Sequence, residues 1–425
     1  MNKFIATAIW VFGWACYSAS LSAQDGKNHV GLPRFAVISD THFENGKGEG
    51  AKVKVPKALK NLLHKTPLVD AVFVVGDLTD RGKPEEYDML LTTFGDTTHV
   101  PKGVDVYLIM GFNHDKSRSD GFEIYLDKVK QPLHRYVEIK GYPFITISEG
   151  GVRASAHNDA AAKFLSDKLS EASQKYPGKP IFVFMHVPPL NTVYGSSPSE
   201  GWGTDVFLPV LNRYPQAIVF SGHSHFPLAD PRSIHQDRFT TINDGSTTYG
   251  EVEPKVIDIG IHPENHEYVT EGIIADVLEN GNVEIERWDT YRNEEILPRW
   301  TVEAPHDGSR FVYKNRNGLP APAFPHGYRP KVELLADGSI SVIFRQAKDN
   351  EVVHHYVVEI KDGERVVASY RKFSQYYLNS RMPEQLTVNF SDLPAGKRLS
   401  AQVVSVDSYN NQSIPVESKT FEIRK

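Results

Sequence analysis

Phe35-Ala36-Val37-Ile38-Ser39-Asp40-Thr41-His42 decides the reading of the fold. Four apolar residues without polar alternation read as a strand buried on both faces. The run then breaks at once into residues of metal-ligand type. The same form returns four times along the chain. Ala71-Val72-Phe73-Val74-Val75 leads into Gly76-Asp77-Leu78-Thr79-Asp80, and Val104-Asp105-Val106-Tyr107-Leu108-Ile109 precedes Gly111-Phe112-Asn113-His114-Asp115. Ile181-Phe182-Val183-Phe184-Met185 ends in His186-Val187-Pro188-Pro189, and Ala217-Ile218-Val219-Phe220 ends in Ser221-Gly222-His223-Ser224-His225.

Helical patterns separate these runs. Asn158 is expected to cap a helix reaching about Tyr176, with Ala162, Leu165 and Leu169 on one face. Pro84 opens another, with Tyr87, Leu90, Leu91 and Phe94 as its apolar stripe. Strands alternating with helices imply an α/β layered domain. The carboxyl ends of strands in such sheets converge on one crevice. The five strand ends would therefore gather carboxylates, an amide and imidazoles at one place. Without a cation, buried carboxylates repel one another and are desolvated at great cost. A metal cluster removes that cost.

In order and type, these blocks resemble the calcineurin-like metallophosphoesterase family over about residues 33–250. The family's series is Asp-x-His, Gly-Asp, Gly-Asn-His-Asp/Glu, His and Gly-His-x-His. The resemblance implies an α/β layered sandwich of two mixed β-sheets flanked by helices. It implies that Asp40, His42 and His225 bind one metal, that Asn113, His186 and His223 bind a second, and that Asp77 bridges them. It further implies that His114 protonates the leaving oxygen, with Asp115 orienting its ring. Asp80 and Arg81 are expected to pair as a loop salt bridge. One block departs from the family: Phe112 stands directly before Asn113, where the family has glycine. A bulky residue at that turn would shift Asn113 or narrow the pocket. The purple acid phosphatase branch carries a metal-bound tyrosine shortly after the bridging aspartate, and Leu78-Thr79-Asp80-Arg81 contains none.

The expected cofactors are two divalent or trivalent metal ions. Mixed nitrogen and oxygen ligands suit Mn, Fe or Zn better than Ca or Mg. Two cations roughly 3.5–4 Å apart would acidify a bridging water and clamp phosphate oxygens for in-line displacement of a phosphate mono- or diester. The alternative is a non-catalytic binding or adhesion protein on the same fold.

Composition bounds the partners. The net charge is −6 over 425 residues, with no basic tract, so no nucleic-acid polymer is expected. A metal can still supply the positive charge that a phosphorylated small-molecule substrate needs. Residues 1–23 read as a signal peptide: Lys3 precedes an apolar stretch from Phe4 to Tyr17, and small residues follow up to Ala23. Export to a periplasmic or extracellular space is expected, with no integral membrane association after cleavage. A lipid anchor at Cys16 is the alternative. Cys16 is the only cysteine, so disulfides and thiol catalysis are excluded from the remainder.

The catalytic domain is expected over 24–297 and a Pro-rich connector over 298–329, lying against it. An all-β immunoglobulin-like sandwich is expected over 330–425. Segments such as Ser339-Ile340-Ser341-Val342-Ile343-Phe344 and Ala401-Gln402-Val403-Val404-Ser405-Val406 are strand-like, and turns such as Asp337-Gly338 and Asp362-Gly363 separate them. About seven short strands without a helix resemble a fibronectin type III module.

Overall fold

Four of the five strands of the quoted form have two apolar faces, and the structure buries both. The structure is a computed structural model and describes residues 31–44, 50–149, 155–253, 261–314 and 319–423. The segment read as a signal peptide lies outside the described residues.

The first half of the chain runs β1 (Arg34–Ile38), α1 (Gly50–Leu63), β2 (Ala71–Val75), α2 (Pro84–Gly95), β3 (Asp105–Ile109) and α3 (Gly121–Val129). Next come β4 (His134–Ile139), β5 (Tyr142–Ile147), α4 (Ala156–Lys175), β6 (Ile181–Met185), α5 (Leu208–Leu211) and β7 (Ala217–Ser221). Strands β8 (Ile234–Gln236), β9 (Thr240–Asn243), β10 (Glu271–Val277), β11 (Val283–Asp289) and β12 (Glu294–Val302) complete the domain. They form two six-stranded mixed sheets, ordered β12-β11-β10-β1-β2-β3 and β4-β5-β6-β7-β9-β8.

Side-chain alternation explains the layering. Phe35, Val37, Phe73, Phe144, Phe182, Phe184 and Phe220 turn inward and fill the space between the sheets. Phe73 stacks on Phe184 across this layer with centroids 3.9 Å apart. Ala36, Ile38, Val72 and Val74 turn outward under α1, α2 and α3, while Val183, Met185 and Val219 pack beneath α4 and α5. Each buried Phe contributes on the order of 2 kcal/mol. Strands β1, β2 and β3 are mutually parallel, as are β5, β6, β7 and β9. Their carboxyl ends therefore open on common edges.

Three expectations need correction. The cap of α4 is Ser155, whose Oγ accepts from the Asn158 N–H. Strand β3 is a sheet edge, so its first half is not buried on both faces. Pro298 opens no connector, because it lies inside β12, which pairs with β11 up to Val302. The chain beyond Val302 does lie against the domain: the Val312 and Tyr313 N–H groups donate to Gln236 Oε1, and the Tyr313 hydroxyl accepts from the Thr301 N–H.

The last hundred residues form an all-β sandwich of eight strands. One sheet holds β13 (Lys331–Leu334), β14 (Ile340–Arg345) and β17 (Gln385–Phe390). The other holds β15 (Val353–Asp362), β16 (Arg365–Phe373), β18 (Arg398–Asp407), β19 (Val416–Glu417) and β20 (Phe421–Glu422). Val342, Phe344, Tyr356, Val358, Val388 and Val403 fill the space between them. The expectation of no helix fails at one 3₁₀ turn, Tyr376–Arg381, which packs on the α/β domain. Among the described residues, no helix is long and apolar enough to cross a membrane.

Candidate metal centre

The loops leaving β1, β2, β6 and β7 bring their polar residues together between the two sheets. Ligand-type atoms of Asp40, His42 and His225 lie within 4.8 Å of one another, and so do those of Asp77, His186 and His223. All six residues are buried. His225 Nε2 lies 3.1 Å from Asp40 Oδ1, His186 Nε2 lies 3.2 Å from Asp77 Oδ2, and the Nε2 atoms of His42 and His225 are 3.2 Å apart. His186 Nε2 lies 3.9 Å from Asp40 Oδ1, which joins the two groups.

Local backbone conformation is part of the site. Asp40, His42, Asp77, His223 and His225 all have positive φ, between 44° and 70°. Such residues cost about 1–3 kcal/mol each and persist where the surroundings over-determine them. The surroundings here are tight. A Cβ on Gly222 would meet Ser39 Oγ at 2.2 Å and Asp40 Oδ2 at 2.5 Å. One on Gly111 would stand 2.5 Å from the Asp77 N and 2.7 Å from Asp77 Oδ1. Gly111 thus makes the close approach in the third block, and Phe112 stays half-buried beside the His223 ring, with centroids 5.5 Å apart.

The arrangement fits cations. His186 Nδ1 donates to the Val75 carbonyl at 2.8 Å and His225 Nδ1 to the Tyr249 carbonyl at 3.2 Å. Each bond fixes the ring with Nε2 toward the carboxylates. Burial lowers both imidazoles, but Asp77 beside His186 and Asp40 beside His225 outweigh it and raise them, so that a cation bound there would take the place of the Nε2 proton. Asp40 Oδ1, His186 Nε2 and His223 Nδ1 are buried without a hydrogen-bond partner. Such orphans are costly unless a ligand takes them. Burial raises Asp40, but His225 and His186 outweigh it and hold the carboxyl at about 2. Asp77 is likewise raised by burial and drawn far below the carboxylate range, chiefly by His186. Burial pushes His42 down to about 4 and His223 to about 3, which keeps both rings neutral and able to ligate.

The third block divides. Asn113 is exposed, unlike the other six expected ligands. His114 is partly exposed; its Nδ1 donates to the Asp80 carbonyl at 2.9 Å, and its Nε2 faces Asp77 Oδ2 at 3.9 Å. It also falls within ligand distance of His42 and Asp77. Asp115 does not orient this ring. Its carboxylate accepts from the N–H groups of Leu78, Thr79 and Gly111 and from the Thr79 hydroxyl, tying the β2 loop to the β3 loop. Asp80 is the acid facing His114 Nδ1, at 3.6 Å, and it pairs with Arg81 as expected.

A surrounding acidic group went unread in the sequence. Ser39 Oγ sits 2.5 Å from both Asp40 Oδ2 and Asp244 Oδ1. Burial, then the Asp40 charge, pushes Asp244 well above its ordinary range. Glu149 accepts from the Val187 N–H and is raised by burial to about 8. Glu251 stands beside His225 and is raised by burial to about 7. Only Asp244 carried a signal, an Asp-Gly turn after a short Thr-Thr-Ile-Asn run.

Comparison with known proteins places the α/β part of the chain in a family. Residues 33–227 match the calcineurin-like phosphoesterase family model. A probable glycerophosphodiester phosphodiesterase GpdQ of Arcobacter nitrofigilis is 29% identical over 199 residues, covering 44% of this chain and 70% of that protein. A glycerophosphodiester phosphodiesterase GpdQ of Enterobacter lignolyticus is 30% identical over 209 residues, covering 45% and 70%. A purple acid phosphatase structure from yellow lupin aligns with a TM-score of 0.48 at 12% identity, over 64% of this chain and 54% of that one.

Proposed function

This chain belongs to the calcineurin-like phosphoesterase family and is a metal-dependent phosphoesterase, and from that premise we propose that it hydrolyses a phosphodiester of a small molecule by in-line attack of water. The observation that carries the reading is the pair of fixed imidazole rings. His186 and His225 each spend Nδ1–H on a backbone carbonyl and aim Nε2 at an aspartate.

Asp40, His42 and His225 would hold one cation, and His186, His223 and Asn113 a second, with Asp77 shared. Two bound Mn, Fe or Zn ions would supply an acidified water and neutralise phosphate charge. The chain's own part is positional. Asp115 keeps the Asp77 and His114 loops together, and the Asp80 carbonyl holds the His114 ring with Nε2 toward the centre. From there His114 can give a proton to the departing alcohol oxygen, a contribution of about 10²–10⁴-fold.

The relatives' names support a diester, and so does the charge around the site. The groups acting most strongly on Asp40, Asp77, His186, His223 and His225 are one another, His42, His114, Glu149 and Glu251, with no Lys or Arg among them. A diester's single negative charge suits that setting better than a monoester's double charge. Protein purified with Mn²⁺ should hydrolyse bis-p-nitrophenyl phosphate faster than p-nitrophenyl phosphate. The reverse preference would sink the diester assignment. Residues 1–23 support export, and recovery of the chain only in the cytoplasmic fraction would refute it. The C-terminal sandwich is read as a fibronectin type III-like module.

A further inference from the structure

We propose that the C-terminal sandwich sets the substrate-facing wall of the metal centre, with Tyr194 as the positioning residue and Trp202 as the wall it positions. The proposal rests on the esterase reading and adds a role for the second domain in it.

The loop between β6 and α5 leaves the metal centre just after His186 and returns through a bridge of Pro189 to Thr204. Tyr194 is buried on this loop. Its N–H donates to the Arg232 carbonyl at 3.0 Å, the Arg232 guanidinium lies 3.8 Å from its ring centroid, and Phe226 packs on it at 4.3 Å. Its hydroxyl donates to Glu253 and lies 3.3 Å from His354 Nε2 and 3.4 Å from the Tyr376 hydroxyl. His354 and Tyr376 belong to the sandwich, and His354 Nε2 also stands 3.2 Å from Glu253 Oε1. Two residues of the catalytic domain, Tyr194 buried and Glu253 half-buried, and two of the sandwich thus share one hydrogen-bonded set.

The next residue carries this joint to the metal ligands. Gly195 is pressed against Ser224, the residue between His223 and His225; a Cβ there would stand 2.7 Å from Ser224 Cβ. The Gly195 carbonyl accepts from the Trp202 N–H at 3.1 Å. The Trp202 indole meets the His223 ring edge-on, with centroids 5.2 Å apart, and Phe112 borders the same ring. Glu253 extends the connection, since it lies four residues beyond Tyr249, whose ring is 4.3 Å from that of His225. Adhesion alone does not call for this polar set. Val252, Val269, Phe373, Tyr377 and Leu378 already form an apolar contact between the domains. The Tyr194 hydroxyl fixes orientation, and through Gly195 it fixes where Trp202 stands beside a metal-bound ester.

The test uses the full chain loaded with Mn²⁺ and bis-p-nitrophenyl phosphate. Tyr194→Phe should raise KM about fivefold, the order of one neutral hydrogen bond, and more than it lowers kcat, with metal content unchanged. Trp202→Phe should raise KM at least as much, and the double variant no further than Trp202→Phe alone, because residues acting in series do not add. Tyr376→Phe, which leaves the loop's sequence intact, should act in the same direction. Amide hydrogen exchange over residues 191–203 should speed up in Tyr194→Phe and Tyr376→Phe. That readout needs no turnover, so it judges the joint separately from the esterase assignment. Unchanged KM and exchange in Tyr194→Phe, or KM effects that multiply in the double variant, would overturn the proposal.

Discussion

Two of the buried polar clusters, the metal centre and the joint with the sandwich, are built differently. In the candidate metal centre, five of the seven expected ligand residues adopt left-handed backbone and three ligand-type atoms have no hydrogen-bond partner. At the joint with the sandwich, Tyr194, Glu253, His354 and Tyr376 partner one another, and Asp230 is forked by Arg232 and bonded by Ser408. None of the joint's residues has positive φ. A cluster that satisfies itself is built for cohesion and orientation. A strained cluster with unspent lone pairs is built for a ligand the chain does not supply.

Substitutions can break that contrast. The largest effect is expected at His114, whose Nε2 faces the centre without being needed to complete either group of three ligands. His114→Asn should lower kcat on an unactivated alkyl diester by about 10²–10⁴-fold, with metal content retained. Equal losses of metal and rate would make His114 a ligand instead of an acid. Gly222→Ala should weaken metal binding by about 10–100-fold, because the added methyl meets Ser39 Oγ and Asp40 Oδ2. Metal titration followed by calorimetry would measure it, and parent-like affinity would show that this cradle is not held tight.

The smallest effect belongs to the joint. His355, whose Nδ1 lies 3.0 Å from the Nδ1 of His354 in that joint, is pushed down to about 3 by burial, then by His354 and Arg371. The folded state therefore favours the neutral ring. Its contribution is complete above the unfolded value of about 6.5 and is lost as pH falls from there toward 3. Between pH 7.5 and 5 the chain should lose roughly 1–2 kcal/mol on this account, and His355→Gln should remove that share of the decline. Identical pH dependence in parent and variant would leave His355 without the assigned role.

What the sequence disclosed follows the same division. The buried parallel strands were legible because two apolar faces leave an unbroken run, and the strand ends were legible because ligand chemistry needs particular residue types. Strands β10 to β12 were not, since they carry Glu286 and Arg287 into the interior. Arg34 accounts for part of that pattern by pairing with Asp276 and Glu286 across the sheet. The joint left no trace either: Tyr194 and Tyr376 lie 182 positions apart, and no spacing rule links them. The role of Asp115 was not legible, because adjacency to His114 says nothing about which way a side chain turns. Its carboxylate faces the β2 loop.

The most direct test of the central claim is elemental analysis coupled to turnover, on parent and Asp77→Asn before and after chelation. The account predicts about two metal ions per parent chain, diesterase activity lost on chelation and restored by Mn²⁺, and both metal and activity reduced together in Asp77→Asn. Full activity that survives chelation, or a parent chain that binds no metal, would contradict it.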